Sequence, residues 1–336
     1  MTEQPPIQLT PVGALRFNTD SAKLEYFDGN QYVNITTDSP EQHTGGTRGV
    51  LGGDSPSPRT RIDFFNMSTT GGGSEDFGDL TQGRSTMSGS SSRTRGIFLG
   101  GQTPGSTNVI DFITISSKGD AQDFGDHIYN GAFSATWSNG TRLIKAGGEA
   151  PSPAYTHLDI EYVTIASASD GIDFGNLTEK RRRAMSIGSP TRMLVCGGYS
   201  SPASKSVIDF ITMSTQGNGA DFGDLSSARH TGGGSSNAVT GFVSSDSDVD
   251  RITIATLGSA LDNGADLTST RTSFGSTSSK TRAVFCGGYS PASPYPGSNV
   301  MDYQQFASDG NFIDFGDLAS NMQNNAGISN GHGGLG

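Results

Sequence analysis

The sequence predicts an all-β fold whose main part is a six-bladed β-propeller with about 47 residues per blade. Two observations lead to this prediction. The chain repeats itself at that interval, and each repeat holds four short β-like segments separated by glycine, proline or serine. Four strands in roughly 40 to 50 residues is the size of one propeller blade, and six blades fall within the range that closes a ring.

The most regular marker of the repeat is the tripeptide Asp-Phe-Gly. It occurs five times, and an eroded copy at residues 265–267 divides the one interval of double length. The aspartates of the five copies are Asp76, Asp123, Asp173, Asp221 and Asp314. Protein kinases hold magnesium with this tripeptide, but a catalytic aspartate occurs once in a site, whereas this one recurs at the blade interval. The segment therefore predicts an outer strand with its phenylalanine packed between blades.

Two further elements repeat in step with the first. A Thr-Arg pair followed by an apolar run and Gly-Gly predicts a buried inner strand with a blade on either side. Its arginines are Arg48, Arg95, Arg142, Arg192 and Arg282. A segment such as VIDFITIS predicts a middle strand. Its aspartates are Asp63, Asp111, Asp159, Asp209, Asp250 and Asp302.

The arginines and the middle-strand aspartates are expected to form pairs. The fifth repeat has lost the Thr-Arg arginine but has gained Arg251 directly after Asp250. Because a buried carboxylate requires a cation beside it, we expect a guanidinium near each middle-strand aspartate. The alternative is that these arginines lie unpaired in solvent.

The order of these elements resembles the kelch repeat, over about residues 40 to 336. As in that family, an apolar strand ends in Gly-Gly, and a loop, an outer strand and an arginine follow. The resemblance implies a propeller that binds partners or sugars, and it carries no catalytic residue onto this chain. The repeats depart from the kelch pattern after the Gly-Gly pair. Kelch repeats usually have a tyrosine and a tryptophan there, whereas this chain has Asp-Phe pairs.

The sequence divides into an arm, residues 1–38, and a propeller, residues 39–336. The first blade lacks one strand before Thr47, and residues 319–336 have the length of one strand. Since an open ring would expose sheet edges, we expect this C-terminal segment to complete the first blade. In the arm, the alternating runs LRF, KLEYF and YVNI are separated by turn sequences and predict a small β-meander.

The arm resembles a segment of bacteriophage tail fibre and other virion proteins. The residues that carry the match are Gly13, Leu15, Arg16, Phe17, Asn18, Thr19, Leu24, Glu25, Phe27, Asp28 and Gly29. The repeats, VIDFITISSKGDAQDFGD in particular, look like those of structural proteins of marine cyanophages. Together the two resemblances imply a virion component of the tail region, attached to other virion proteins through the arm and present in several copies.

Composition narrows the possible partners. A net charge of −11 and a pI near 4.8 argue against binding to a phosphate backbone. The apolar runs are too short to insert in a membrane, and residues 1–10 lack the features of a signal peptide. Cys196 and Cys286 stand in matching contexts and are predicted to be buried apolar residues, and the five histidines lack metal-ligand spacing. We expect no metal and no cofactor, with calcium near Asp120, Asp123 and Asp126 as the alternative.

The loops that follow Gly-Gly are the candidate binding surface. All five clear copies are Ser/Thr-Pro loops at the same end of the blades, and recognition commonly lies in loops on a rigid scaffold. Their tyrosines are Tyr155, Tyr199, Tyr289 and Tyr295. The basic run Lys180, Arg181, Arg182 and Arg183 is a second candidate, for an acidic partner or an anionic glycan. The alternatives are loops that proline only makes rigid, and a solvated basic turn.

These observations predict a non-enzymatic virion protein of the tail or tail fibre. Its propeller would contact the host surface, through a glycan or a receptor, or would dock a neighbouring subunit. One alternative is a purely architectural or decorating subunit. Another is a carbohydrate-active enzyme, but such an enzyme needs a distinct pair of carboxylates, and nearly every acidic residue here belongs to the repeat.

Overall fold

The computed structural model describes residues 10–18, 23–34, 47–54, 59–149, 151–152, 155–291, 294 and 296–335. The chain forms two compact units, Met1–His43 and Thr44–Gly336. We call the second the six-sheet unit. The described residues are all-β apart from turns and one 3-10 helix, Gly333–Leu335. Among them there is no helix with the length and apolar character that crossing a membrane requires.

The N-terminal unit contains a three-stranded antiparallel meander. Its strands are β1 (Leu15–Asn18), β2 (Lys23–Phe27) and β3 (Tyr32–Asn34). On one face the Arg16 guanidinium pairs with Glu25 at 2.7 Å and lies 3.5 Å from the centre of the Tyr32 ring. The other face pairs Leu15 with Tyr26 and aligns Phe17 with Leu24. These four apolar side chains are exposed.

In the six-sheet unit the described strands form six four-stranded antiparallel sheets. Sheet 1 consists of β29 (Ala326–Ser329), β4 (Arg48–Gly52), β5 (Arg59–Asn66) and β6 (Glu75–Arg84). Sheet 2 consists of β7 (Ser88–Ser91), β8 (Arg95–Leu99), β9 (Val109–Thr114) and β10 (Gln122–Asp126). Sheet 3 consists of β11 (Ala135–Ser138), β12 (Arg142–Ala146), β13 (Asp159–Thr164) and β14 (Ile172–Asn176).

The other three sheets repeat this order. Sheet 4 consists of β15 (Met185–Gly188), β16 (Arg192–Cys196), β19 (Val207–Thr212) and β20 (Ala220–Asp224). Sheet 5 consists of β21 (Gly233–Ser236), β22 (Thr240–Ser244), β23 (Asp246–Thr253) and β24 (Leu261–Arg271). Sheet 6 consists of β25 (Gly275–Ser278), β26 (Arg282–Cys286), β27 (Val300–Gln305) and β28 (Ile313–Asp317). A two-residue hairpin, β17 (Tyr199–Ser200) with β18 (Ala203–Ser204), projects from sheet 4.

The first strands of the sheets contact one another in cyclic order, β29 to β7, β11, β15, β21, β25 and back to β29. They are rich in serine and glycine because side-chain hydroxyls bond to the main chain of the neighbouring first strand. Ser186 donates to the Thr136 carbonyl at 2.8 Å, and Ser91 donates to the Ser329 carbonyl at 2.6 Å. This cyclic contact is consistent with a β-propeller. It encloses a channel, by which we mean the space between the six first strands.

The Thr-Arg strands are the second strands of their sheets, which corrects the prediction that they are innermost. Their apolar runs are buried, as Val50 and Leu51 in β4 illustrate. The sequence predicted four segments per repeat but located only three of them as strands, because the small first strands lack an apolar run. They are small because larger side chains would collide: a Cβ on Gly327 would lie 2.3 Å from the Ser276 carbonyl oxygen.

The Asp-Phe-Gly segments lie in the fourth strands, at the outer edge of each sheet. In every full copy the phenylalanine is buried and the glycine has a φ between 138° and 153°. At Gly78 the backbone meets the loop of the next sheet, because a Cβ there would lie 2.4 Å from the Gly119 carbonyl oxygen. The tripeptide therefore packs one sheet edge against the next.

We expect Gly78→Ala to lower the free energy of unfolding by about 2 kcal/mol or more, since it combines a disfavoured φ with a backbone collision. Gly105→Ala is the matched control, because a Cβ on Gly105 meets nothing within 4 Å and its φ is not positive. The control is expected to change stability by less than about 0.5 kcal/mol. Urea unfolding followed by circular dichroism measures both, and equal values for the two variants would contradict the packing role.

The C-terminal segment belongs to the first sheet. Ala326–Ser329 pairs antiparallel with β4, from Ala326 opposite Gly52 to Ser329 opposite Gly49. Residues 330–335 then cross the end of the channel where the first strands end, and they are buried except for Leu335. There the His332 ring packs edge-on against Trp137, with 4.8 Å between ring centres. His332 Nε2 also lies 2.9 Å from the Ser91 carbonyl oxygen.

His332 is expected to make stability depend on pH. Its burial lowers its pKa from 6.5 to about 4, so the unfolded chain takes up the proton first as the pH falls. The stabilisation is complete above the unfolded pKa and is lost as the pH falls through the folded pKa. Between about pH 7 and about pH 4.5 this amounts to about 2 kcal/mol. In urea titrations at the two pH values, His332→Gln is expected to reduce the difference by about that amount, and an unchanged difference would contradict the assignment.

Candidate functional site

Buried ion pairs join neighbouring sheets in the six-sheet unit. In four of them, an arginine that leaves one sheet pairs with the third-strand aspartate of the next. These pairs are Arg84–Asp111 at 2.6 Å, Arg181–Asp209 at 3.0 Å, Arg229–Asp250 at 3.5 Å and Arg271–Asp302 at 2.8 Å. Each aspartate also accepts a hydroxyl and an amide hydrogen bond from one residue, as Asp111 does from Thr81. Burial lowers the pKa of Arg84, while Asp111 opposes that shift.

In the other two sheets the buried carboxylate pairs with a cation of its own sheet. Asp63 pairs at 2.6 Å with Arg61 of its own strand. In sheet 3 the strand register places Glu161, and not the predicted Asp159, at the buried carboxylate position. Lys145 of the adjacent strand supplies the cation for Glu161. Asp159 lies instead two residues earlier, at the start of its strand, where it contacts His157 at 3.2 Å.

The Thr-Arg arginines do not pair with these carboxylates, which corrects the expectation that they would. Each guanidinium stacks on a third-strand aromatic ring of its own sheet and donates to a carbonyl of the next sheet. Arg95, for example, lies 4.5 Å from the Phe112 ring centre and donates to the Ile165 carbonyl at 2.8 Å. The others are Arg48 to Ile115, Arg142 to Met213, Arg192 to Ile254 and Arg282 to Met67. In sheet 5, Arg251 reaches the corresponding carbonyl of Phe306.

Acidic residues of the loops before the Asp-Phe-Gly segments accept main-chain amides from the fourth strand of the preceding sheet. Asp120, from the alternative calcium cluster, accepts the Asp79 amide at 3.0 Å, and Asp170 accepts the Asp126 amide at 3.0 Å. Within the described part of the chain, no three His, Cys, Asp or Glu side chains are grouped to hold a metal. Cys196 and Cys286 are buried and free, and burial raises the pKa of each thiol.

A ring of six residues surrounds the other end of the channel. We call it the mouth ring: Thr86, Phe133, Arg183, Thr231, Ser273 and Asn324. All six have left-handed backbone conformations, with φ between 52° and 61°. Each amide donates to the carbonyl of the preceding member, at 2.7 to 2.9 Å, so the hydrogen bonds close a cycle. Since such a conformation costs a non-glycine residue about 1 to 2 kcal/mol, the cycle holds six side chains in a costly arrangement.

The residues that follow Gly-Gly lie next to the mouth ring. In four sheets this residue pairs through its main chain with the residue that immediately precedes a ring member. The pairs are Gln102 with Ser85, Glu149 with Ala132, Tyr199 with Arg182, and Tyr289 with Thr272. The structure therefore brings together two predicted tyrosines, Tyr199 and Tyr289, with Arg182 and Arg183 of the basic run.

The charges at this face centre on Arg182 and Arg183. Arg182 donates to Glu149 at 2.6 Å, and its guanidinium lies 5.5 Å from the Tyr199 ring centre. The Arg183 guanidinium lies 4.2 Å from the Phe133 ring centre and only 3.8 Å from the same Glu149 carboxylate. Burial, followed by the charge of Arg182, lowers the pKa of Arg183. One carboxylate thus faces two guanidinium groups, which leaves a local positive charge on an acidic protein.

Two connected cavities lie within the mouth ring and the channel beneath it. The outer one has a volume of about 90 Å³ and is lined by members of the mouth ring, including Arg183, Thr86 and Thr231. The inner one has a volume of about 120 Å³ and is lined by the serine-rich first strands. Asn325 lines both cavities and is 6% exposed, yet neither its amide nitrogen nor its amide oxygen has a hydrogen-bond partner.

The other predicted binding residues lie elsewhere or serve another purpose. Arg181 is fully buried in its pair with Asp209, because the carboxylate needs a cation, and so it cannot meet a ligand. Lys180 is exposed to solvent. Tyr155 is 57% exposed, and its hydroxyl contacts Ser152 of its own loop. Tyr295 lies outside the described residues.

No protein-family model matches this chain, and no curated protein matches it.

Proposed function

We propose that the six sheets are the blades of a six-bladed, kelch-like propeller, and that the chain is a non-enzymatic structural protein of a bacteriophage virion. In this proposal it belongs to the tail or tail fibre of a cyanophage-like virus. The N-terminal resemblance to tail fibre proteins supports the location. The cyclic contacts of the first strands and the cyclic hydrogen bonds of the mouth ring support the propeller.

The propeller would recognise the host surface through the face that carries the mouth ring. The observation on which this depends is that Tyr199, Tyr289, Arg182 and Arg183 meet at this face although they come from different repeats or segments. Tyrosine offers an apolar ring with a hydroxyl, and arginine offers a planar set of donors, so the face suits a glycan or a receptor loop.

The arm would attach the chain to neighbouring virion proteins, in several copies. Leu15, Phe17, Leu24 and Tyr26 form an exposed apolar face on a three-stranded meander. A sheet of three short strands gains stability by packing that face against another surface. This favours an assembly role for the N-terminal unit, and it is also what a purely architectural subunit would need.

Recognition is favoured over hydrolysis by the chemistry of the cavities. Glycosidases flank the scissile bond with two carboxylates. Among the described residues that line the two cavities, none is aspartate or glutamate. The lining instead offers hydroxyls, amides, aromatic rings and Arg183.

The proposal is tested by binding of the labelled full-length protein to host cells, with purified surface polysaccharide as competitor. Saturable binding that the polysaccharide abolishes is the expected result. Assembly onto purified tails without cell binding would instead indicate the architectural role. Release of reducing sugar from the polysaccharide would overturn the non-enzymatic assignment.

A further inference from the structure

The outer cavity combines three features that the fold itself does not require. It holds a guanidinium without a hydrogen bond, because Arg183 makes only the 3.8 Å ion-pair contact and a ring contact. It holds hydroxyl oxygens of Thr86 and Thr231 that are buried and have no partner. It holds the Asn325 side chain, more than nine-tenths buried, with both polar atoms unpaired. Buried polar groups are normally satisfied, so each such group calls for an explanation.

The residues that carry these unpaired groups line a common space. Arg183, Thr86, Thr231 and Asn325 all line the outer cavity, as do the rings of Phe133 and Phe274. Its volume of about 90 Å³ is several times the space that one water molecule needs, and the inner cavity extends it. The groups therefore surround a volume that admits a small polar molecule.

The chemistry of these groups selects the ligand. A guanidinium that shares its only carboxylate with Arg182 attracts an anion, and a planar carboxylate matches its fork of donors. A primary amide offers donors and an acceptor together, which suits hydroxyl groups that both donate and accept. Aromatic rings at the rim provide the apolar contact that a sugar ring uses.

We propose that the channel mouth binds one acidic sugar residue, with its carboxylate on Arg183 and its hydroxyl groups on Asn325, Thr86 and Thr231. The proposal deepens the proposed function, since such a residue would be a terminal or side-chain unit of the host polysaccharide. The proposal assigns a ligand class to the mouth ring. The surrounding tyrosines would contact the part of the polysaccharide that extends beyond the bound residue.

The test uses the full-length protein with methyl β-D-glucuronide and, as the neutral match, methyl β-D-glucoside. Ligand-observed NMR and calorimetry are expected to detect the glucuronide, with the glucoside at least tenfold weaker, as the loss of a charge-assisted contact predicts. Absence of glucuronide binding, or equal binding of both sugars, would overturn the proposal.

Two variants locate the site. Arg183→Gln is expected to weaken glucuronide binding about tenfold or more, whereas Lys180→Gln, an equal charge change on an exposed neighbour, is expected to leave it within about twofold. Asn325→Leu is expected to weaken binding while leaving the unfolding midpoint unchanged or higher, because it removes unpaired buried polar atoms. Undiminished binding by Arg183→Gln or by Asn325→Leu would contradict the site.

These experiments distinguish a failure of the ligand assignment from a failure of the proposed function. If the protein binds host cells but no acidic sugar, the ligand assignment is wrong and recognition through the surrounding face stands. If it binds the glucuronide but is absent from virions, the site stands and the proposed location is wrong.

Discussion

Deletion of residues 323–336 is expected to abolish cooperative folding of the six-sheet unit. The deletion removes β29 and leaves β4, whose Val50 and Leu51 are fully buried, as an open sheet edge. It also removes Ile328, which packs in the same cluster as Phe98 and Ile113. Burial of each large apolar side chain is worth about 1.5 to 3 kcal/mol, and a domain has only about 5 to 15 kcal/mol in total.

Two control proteins show whether the missing strand is responsible. A chain that lacks residues 1–43 is expected to retain the cooperative unfolding of the six-sheet unit, because those residues form a separate compact unit. A circular permutant that places residues 319–336 before residue 44 keeps β29 beside β4 and is expected to fold. Thermal unfolding and size-exclusion chromatography distinguish the outcomes. Cooperative unfolding of the truncated chain at the original midpoint would contradict closure of the first sheet by β29.

Asp111→Asn is expected to lower the free energy of unfolding by about 3 kcal/mol or more. Asp111 and Arg84 are both fully buried and 2.6 Å apart, and the substitution leaves the guanidinium charge without its counter-ion. Removing one partner of a buried pair typically costs about 3 to 5 kcal/mol. Replacing both partners with apolar residues, as Arg84→Met with Asp111→Leu, is expected to recover more than half of that loss.

Glu75→Gln is the control for the charge change. Glu75 pairs at 3.1 Å with Lys118 of the neighbouring sheet, but both side chains are more than half exposed. An exposed pair contributes little, so the control is expected to change stability by less than about 0.5 kcal/mol. Chemical denaturation at neutral pH measures all the variants. A loss below about 1 kcal/mol for Asp111→Asn would show that the pair does not join the two sheets in the way described.

The self-similarity of the sequence predicted the strands that carry a strong pattern. The Asp-Phe-Gly, middle and Thr-Arg segments are all strands, and they lie in adjacent positions of each sheet. The first strand of each sheet was not located, because a run such as Ser88–Ser91 consists of small residues at a crowded axis and lacks apolar periodicity. Its physical signal was the recurrence of serine and glycine before the Thr-Arg pairs of sheets 2, 3, 4 and 6.

The sequence predicted that each third-strand carboxylate has a cation beside it, but it assigned the wrong arginines to these pairs. A buried third-strand carboxylate does have a cation beside it in every described sheet, yet the cation is supplied by the arginine after the outer strand in four of them. The residue type alone aligned Asp159 with the third-strand aspartates of the other sheets. The strand register shows that Glu161 occupies that position instead. The available signal was Lys145, a charge within an otherwise apolar strand.

The mouth ring was missed because its side chains differ from one repeat to the next. A search for repeats finds what is constant, and each member of the ring instead lies two residues after the position of the repeated arginine, as Arg183 follows Arg181. These residues share a left-handed backbone conformation that no sequence pattern indicates, since threonine, phenylalanine and arginine rarely adopt it. The signal available in the sequence was that the side chain varies at one constant position of the repeat.

A cryo-electron microscopy map of the intact virion would test the proposal that the chain is a virion protein and uses the mouth ring for recognition. Density for the chain is expected in the tail region, with the N-terminal unit against a neighbouring protein and Arg183 facing solvent. A map that lacks the chain, or that buries the mouth ring against another virion subunit, would contradict it.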